Sequence, residues 1–166
     1  MKYELFYEKI SAPFRGREKA IKAVSVTETV LVLLVAIAFL GVCARRAFST
    51  PFSWVALGLT VGCPAICLAA VSLLRTCVKR KRPYENGIIP LTAKNASGNS
   101  FPSRHTASAF VIATVAIPVA VWLGVSLYVT AITIAFVRLL LGHHYPPDLL
   151  VGALLGVAFG LPTWWI

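Results

Sequence analysis

The chain has 166 residues, of which 58% are apolar and only 13% charged, with a net charge of +10. A soluble domain of this size carries about a quarter charged residues, so too little polar surface is left to cover a water-exposed globule, and an ordinary soluble enzyme is excluded. One domain is expected at this length. The basic residues flank apolar runs, which points to anionic lipid headgroups rather than nucleic acid as their partner.

Residues 1–22 read as a separate N-terminal piece. Leu5, Phe6, Ile10 and Phe14 alternate with Lys2, Glu4, Glu8, Lys9 and Arg15. That pattern predicts an amphipathic helix lying in the membrane interface, with Tyr3 and Tyr7 at headgroup level. Residues 23–166 then form a single transmembrane domain. Its first apolar run extends from about Ala23 to Ala44, too long for a signal-peptide core and without a clear cleavage site, so a retained span is expected. The second runs from Phe52 to Leu74. The third, Thr106 to Leu141, would be roughly 54 Å long as one helix at about 1.5 Å per residue. A hydrocarbon core ~30 Å thick accommodates less, so two spans are predicted, folded at Trp122-Leu123-Gly124. Leu149 to Ile166 makes the last of five. The fold class expected is therefore all-α, a polytopic membrane helix bundle. Cys63 and Cys67 share a helix face and read as packing residues.

Five spans force the N-terminus, the polar loop 75–105 and the connection 142–148 onto one face. All three histidines, Asp148 (the sole aspartate) and every lysine and arginine except Arg45 and Arg46 fall there. Three clusters stand at span ends on that face: Arg75-x6-Arg82-Pro83, Phe101-Pro102-Ser103-Arg104-His105, and Arg138-x5-His144-x3-Asp148. Guanidinium groups hold phosphate oxygens through paired, charge-assisted hydrogen bonds, so Arg75, Arg82 and Arg138 are candidate phosphate ligands. Ser103 and His105 open a helix, whose free N–H groups favour an anion. Asp148, four residues after His144, can fix the imidazole tautomer and leave its other nitrogen as a nucleophile. His105 remains as general acid. The bland alternatives are membrane-flanking charges for the Arg75 and Arg82 group and a structural Arg138–Asp148 bridge. No cluster of carboxylates suits magnesium or calcium, so neither metal nor cofactor is expected.

These residues resemble the type 2 phosphatidic acid phosphatase family, which shares its site with vanadium haloperoxidases and carries the motifs K-x6-R-P, P-S-G-H and S-R-x5-H-x3-D. The likeness covers roughly residues 50–166. It implies His144 as the nucleophile that becomes phosphohistidine, Asp148 as its orienter and His105 as the general acid. Arg75, Arg82, Ser103 and Arg138 would bind phosphate. Three positions depart from the family. Arg75 stands for the lysine, Val137 for a serine, and Arg104 for a glycine, adding a further phosphate ligand or a selectivity element for a diphosphate. His143 is assigned to packing or substrate contact.

The implied function is a membrane lipid phosphatase acting without a metal. Undecaprenyl diphosphate, phosphatidic acid, phosphatidylglycerol phosphate and lipid A 1-phosphate are all candidate substrates. A lipid phosphotransferase with the same intermediate and a non-catalytic scaffold are the rival classes. The implied partners are the lipid phosphate and the bilayer, with no nucleic acid, and the sequence fixes no oligomeric state. The expected location is a bacterial plasma membrane, with an external site by resemblance and a cytoplasmic one by the positive-inside rule.

Overall fold

The computed structural model describes residues 2–92 and 98–165. The polytopic helix bundle is built from α1 (Lys2–Ser11), α2 (Glu18–Ala47), α3 (Trp54–Val78), α4 (Arg104–Ala116), α5 (Val121–Leu140) and α6 (Pro146–Gly160), with short 3-10 turns after α1, before α4 and after α6. Four segments are long and apolar enough to cross a membrane: Glu18–Ala47, Trp54–Asn86, Val121–Leu140 and Pro146–Trp165.

Each long helix buries a narrow stripe and turns the rest of its apolar surface outward. In α3 the stripe is Ala56, Thr60, Cys63, Cys67, Val71 and Arg75, and in α5 it is Gly124, Leu127, Ala131, Ile134 and Arg138. Spacings of three and four keep such residues on one helix face. Both stripes end in an arginine, so the faces that pack the bundle also carry Arg75 and Arg138 inward. Leu33, Ile37, Leu40, Leu73, Val129, Ile132 and Leu154 remain exposed, an apolar jacket that only lipid can cover.

The fifth helix of the bundle differs. α4 has 13 residues, or about 20 Å at ~1.5 Å per residue. Buried residues appear all round it, from Thr106 and Ala107 to Val115 and Ala116, because α2, α3, α5 and α6 all pack against it. Surrounded by protein, it need not match the bilayer's thickness. Its tightest neighbour is α6, where Gly152, Gly156 and Gly160 face it. A Cβ on these glycines would lie 2.8 Å from the Ser103 carbonyl, 2.6 Å from that of Ala107 and 2.5 Å from the Thr114 Cβ. Small residues permit this close approach of backbones, and it seats the start of α4 beside the start of α6.

The structure corrects one expectation. The chain folds back at residues 117–120, ahead of Trp122-Leu123-Gly124. Pro118, which brings no N–H to a helix, lies in this turn, while Gly124 lies inside α5. A Cβ there would come within 2.5 Å of Ile117 Cδ1, so this glycine serves packing. Tyr3 and Tyr7 also turn toward protein rather than standing free on the helix surface. Tyr7 is fully buried, donating to the Leu140 carbonyl at 3.2 Å and accepting from the Leu91 N–H at 3.2 Å. Tyr3 stacks on Tyr7 and packs against Tyr145.

Trp54, Trp122, Trp164, Trp165 and Phe48 are exposed at the end of the bundle remote from the histidines. They form the belt of aromatic residues expected at a membrane–water boundary.

Candidate active site

The start of α2 and α4, the end of α3 and α5, and the connection into α6 meet at one end of the bundle, and the predicted residues gather there. Asp148 lies in the first turn of α6, completely buried. Its Oδ2 accepts from the Tyr145 N–H at 3.0 Å and from the Ser100 hydroxyl, and stands 3.6 Å from His144 Nδ1. The last separation exceeds a good hydrogen bond. Ser100 Oγ, 3.5 Å from His144 Nδ1, sits between the two side chains. Oδ1 receives Arg80 Nη1 at 2.8 Å. Asp148 therefore ties the His144 loop into a small network: its carboxylate holds the Tyr145 backbone and Ser100, and Ser100 lies beside the imidazole.

His144 is 2% exposed. Burial pushes its imidazole down to about 4, with Arg82 and Arg138 adding to the effect and the nearby Asp148 carboxylate opposing it. Removing a cation from water is costly, and two nearby guanidinium groups make it costlier. The ring is accordingly neutral at physiological pH, with a lone pair on one nitrogen.

The arginines take up different postures. Arg75 Nη1 donates to the Pro102 carbonyl at 2.9 Å, tying α3 to the loop that begins α4. Arg82 Nε donates to the Gly98 carbonyl at 3.2 Å and Nη1 to that of His143 at 3.5 Å. Glu85 steadies this segment by accepting from the N–H of Arg82 at 2.7 Å and of Gly98 at 2.9 Å. Arg138 meets Glu28 of α2 at 2.5 Å, and its Nε is buried without a hydrogen-bond partner. The structural alternative of an Arg138–Asp148 bridge is thus replaced by two separate pairs, Arg138–Glu28 and Arg80–Asp148. Arg75 lies within the fields of Arg104, Arg82 and Arg138. So dense a cluster of guanidinium groups repels itself and is relieved by an anion.

Ser103 caps the start of α4, fully buried, with its N–H on the Asp148 carbonyl at 2.9 Å. Arg104 and His105 are exposed. His105 borders two cavities. One, about 310 Å³ and mostly apolar, runs beside Val35, Leu68, Ile112 and Arg104. The other, about 380 Å³, is lined in part by the polar side chains of Glu28, Thr92, Arg138 and His143. Arg104 thus borders the apolar cavity. Thr92 Oγ1 lies 2.9 Å from His143 Nε2. Among the described residues no three His, Cys, Asp or Glu side chains are grouped as metal ligands would be.

Sequence reasoning missed Glu28, Arg80 and Ser100. Glu28, an acid ten residues into a membrane helix, is the one that carried a signal.

Comparison with known proteins finds relatives in sequence and in fold. A 93-residue alignment with the lipid A 4'-phosphatase of Bacteroides thetaiotaomicron shows 39% identity, covering 51% of this chain and 41% of the relative, so the chain spans about two fifths of that protein's length. The crystal structure of Aquifex aeolicus LpxE shares the fold, with a TM-score of 0.71 at 22% identity over 97% of this chain and 93% of that one. A phosphatidylglycerolphosphate phosphatase from Bacillus subtilis, of PAP2 type, aligns with a TM-score of 0.47 at 21% identity over 99% of this chain and 93% of its own. The family profile matches residues 53–166, the stretch that holds all three motif clusters, and the chain belongs to the PAP2 superfamily.

Proposed function

We propose that this protein is a lipid phosphatase that works through a phosphohistidine on His144. The observation that carries the reading is a buried, neutral imidazole, bracketed by Asp148 on one side and influenced by Arg82 and Arg138 on the other. In the first step a nitrogen of His144 attacks phosphorus and the P–O bond to the lipid breaks. His105 gives its proton to the leaving oxygen. Arg75, Arg82 and Arg138, with the backbone at Ser103, offset the charge on the equatorial oxygens. In the second step His105 takes a proton from water, water oxygen attacks phosphorus, and the P–N bond breaks to free His144 and inorganic phosphate.

The apolar cavity beside His105 suits the acyl chains of a substrate arriving from the leaflet. Arg104, at that cavity, is the residue proposed to distinguish a diphosphate from a monophosphate. The curated relative is named a lipid A 4'-phosphatase, which adds lipid A phosphates to undecaprenyl diphosphate, phosphatidic acid and phosphatidylglycerol phosphate as candidates. The protein is assigned to a bacterial plasma membrane with the site on the outer face.

The test is phosphate release by purified protein in detergent, with a chelator present, from a panel of these lipids. His144→Ala should lose at least about 10³-fold in kcat while remaining folded. Retention of more than a few per cent of activity in that variant would remove His144 as nucleophile. A lipid phosphorylated in place of water would identify a phosphotransferase.

A further inference from the structure

Glu28 lies in α2, outside the stretch matched by the family, yet its carboxylate is within 2.5 Å of Arg138 Nη2. Both side chains are nearly inaccessible, at 9% and 5% exposure. A carboxylate is an unexpected neighbour for an arginine that is to hold phosphate, because the two anions repel and compete for the same N–H groups. Arg138 is only half engaged by it: Nη2 is taken while the buried Nε has no partner among the described residues. Glu28, Arg138, His105 and His143 line the same cavity.

Building on the phosphohistidine reading, we propose that Glu28 is a resident competitor for Arg138 that limits how tightly the site holds inorganic phosphate and so speeds its release. After the P–N bond breaks, a phosphate carrying about −1.5 to −2 charge is left among several guanidinium groups. Release of product from such a site readily becomes the slow step of turnover. Glu28 opposes that trap in two ways: it repels the bound anion, and it re-forms its pair with Arg138 as the anion leaves. Glu28 acts through Arg138 and is a positioning residue.

Glu28→Gln tests this, since an amide oxygen still accepts from Arg138 while the negative charge is gone. The full chain in detergent is titrated with inorganic phosphate, following both the midpoint of thermal unfolding and inhibition of lipid dephosphorylation (read as the dephosphorylated lipid). The variant should bind phosphate about tenfold more tightly, the scale of removing one like charge from a partly screened site. Its kcat should fall while KM for the lipid falls or holds. A pair that merely props Arg138 in place predicts the opposite sign, because a loosened arginine binds phosphate more weakly. Unchanged or weaker phosphate binding in Glu28→Gln, with binding intact in the wild type, overturns the role of Glu28 and leaves the phosphatase reading standing. No phosphate binding by either the wild type or the variant overturns the role of Glu28, and only absent dephosphorylation of every lipid as well sinks the phosphatase reading. Should Glu28→Gln fail to fold, Glu28→Asp, which withdraws the carboxylate by one methylene, should tighten phosphate to a smaller degree, and weaker binding there overturns the proposal equally.

Discussion

Two parts of the chain converge on His144 and its neighbours, and they do so by different means. Residues 53–166 supply the side chains with obvious chemistry: Arg75, Arg82, Ser103, His105, Arg138, His144 and Asp148. Residues 2–47 supply contacts that hold that chemistry in place. Tyr3 donates to the carbonyl of His144, Tyr7 to that of Leu140, Arg15 to that of Ile89 at 3.5 Å, and Glu28 pairs with Arg138. The first region ties its residues together through the α4–α6 glycine interface and the network around Asp148. The second reaches the same end of the bundle from outside, against the loop that leads into α6. A site of this kind has a chemical half and a clamping half, and changes in each should leave different kinetic traces.

The sharpest way to break the comparison is in the chemical half. Asp148→Asn keeps the shape of the side chain while removing its charge. The Tyr145 N–H, the Ser100 hydroxyl, Arg80 and the His144 edge then meet an amide that can offer an NH2 where all of them need an acceptor. A wrongly oriented imidazole lowers kcat by about 10³–10⁴ in comparable oriented pairs, and a loss of that order is expected here with KM little changed. Steady-state dephosphorylation kinetics check it. A loss below tenfold would mean that Ser100 and the backbone orient His144 without the carboxylate.

Next in size is the pH response. His144 has a folded-state value near 4, below the ~6.5 of an unperturbed imidazole. Between those values the unfolded chain binds a proton that the folded chain does not, so stability must drop as pH falls from about 6.5 toward 4 and is restored above that window. NMR titration of imidazole resonances, assigned by their loss in His144→Ala, should place the midpoint of His144 well below 6.5. A midpoint at or above 6.5 would mean that the ring is more hydrated, or more strongly paired with Asp148, than its burial implies.

Much of the chemical half is legible in the sequence because its residues stand at span ends in fixed local spacing. His144 and Asp148 are four apart, and Arg75 and Arg82 are seven apart. Periodicity then brings the arginine-bearing faces of α3 and α5 inward. Arg80 was less visible: it belongs to the basic run Lys79–Arg82, where membrane-flanking charge is an equally good reading, and only folding brings it over the Tyr145 ring at 4.4 Å and onto Asp148. Ser100 was hidden for a related reason, since nothing in a loop serine announces a contact with a residue 48 positions on. The reversal after α4 falls at Pro118 rather than at Trp122-Leu123-Gly124, because glycine and proline both break helices and local pattern does not rank them. At Gly124 the absent side chain makes room for Ile117, a tertiary demand that local pattern does not carry. Tyr3 and Tyr7 were assigned to lipid by the amphipathic pattern of their segment. Such a pattern separates apolar from polar faces, and it cannot tell a bilayer from a protein surface.

The smallest effect expected is also the one that defines the clamping half. Tyr3 makes two kinds of contact with the His144 loop: its hydroxyl donates to the His144 carbonyl at 3.3 Å, and its ring packs on that of Tyr145, with centroids 4.7 Å apart. Tyr145 in turn lies under Arg80, the partner of Asp148. Tyr3→Phe removes the hydrogen bond and keeps the ring. A net loss of about 0.5–1.5 kcal/mol is typical for such a bond, which corresponds to roughly two- to tenfold if all of it falls on the reactive geometry. Tyr3→Ala removes both contacts and should cost more. If α1 clamps the loop, both variants lower kcat in that order while KM stays constant, and both lower the unfolding midpoint. If the helix merely rests there, the midpoint falls but kcat does not. That split separates a segment that shapes the site from one that only adds stability, and it places the functional boundary of the site either at residue 53, where the family match begins, or at the N-terminal helix.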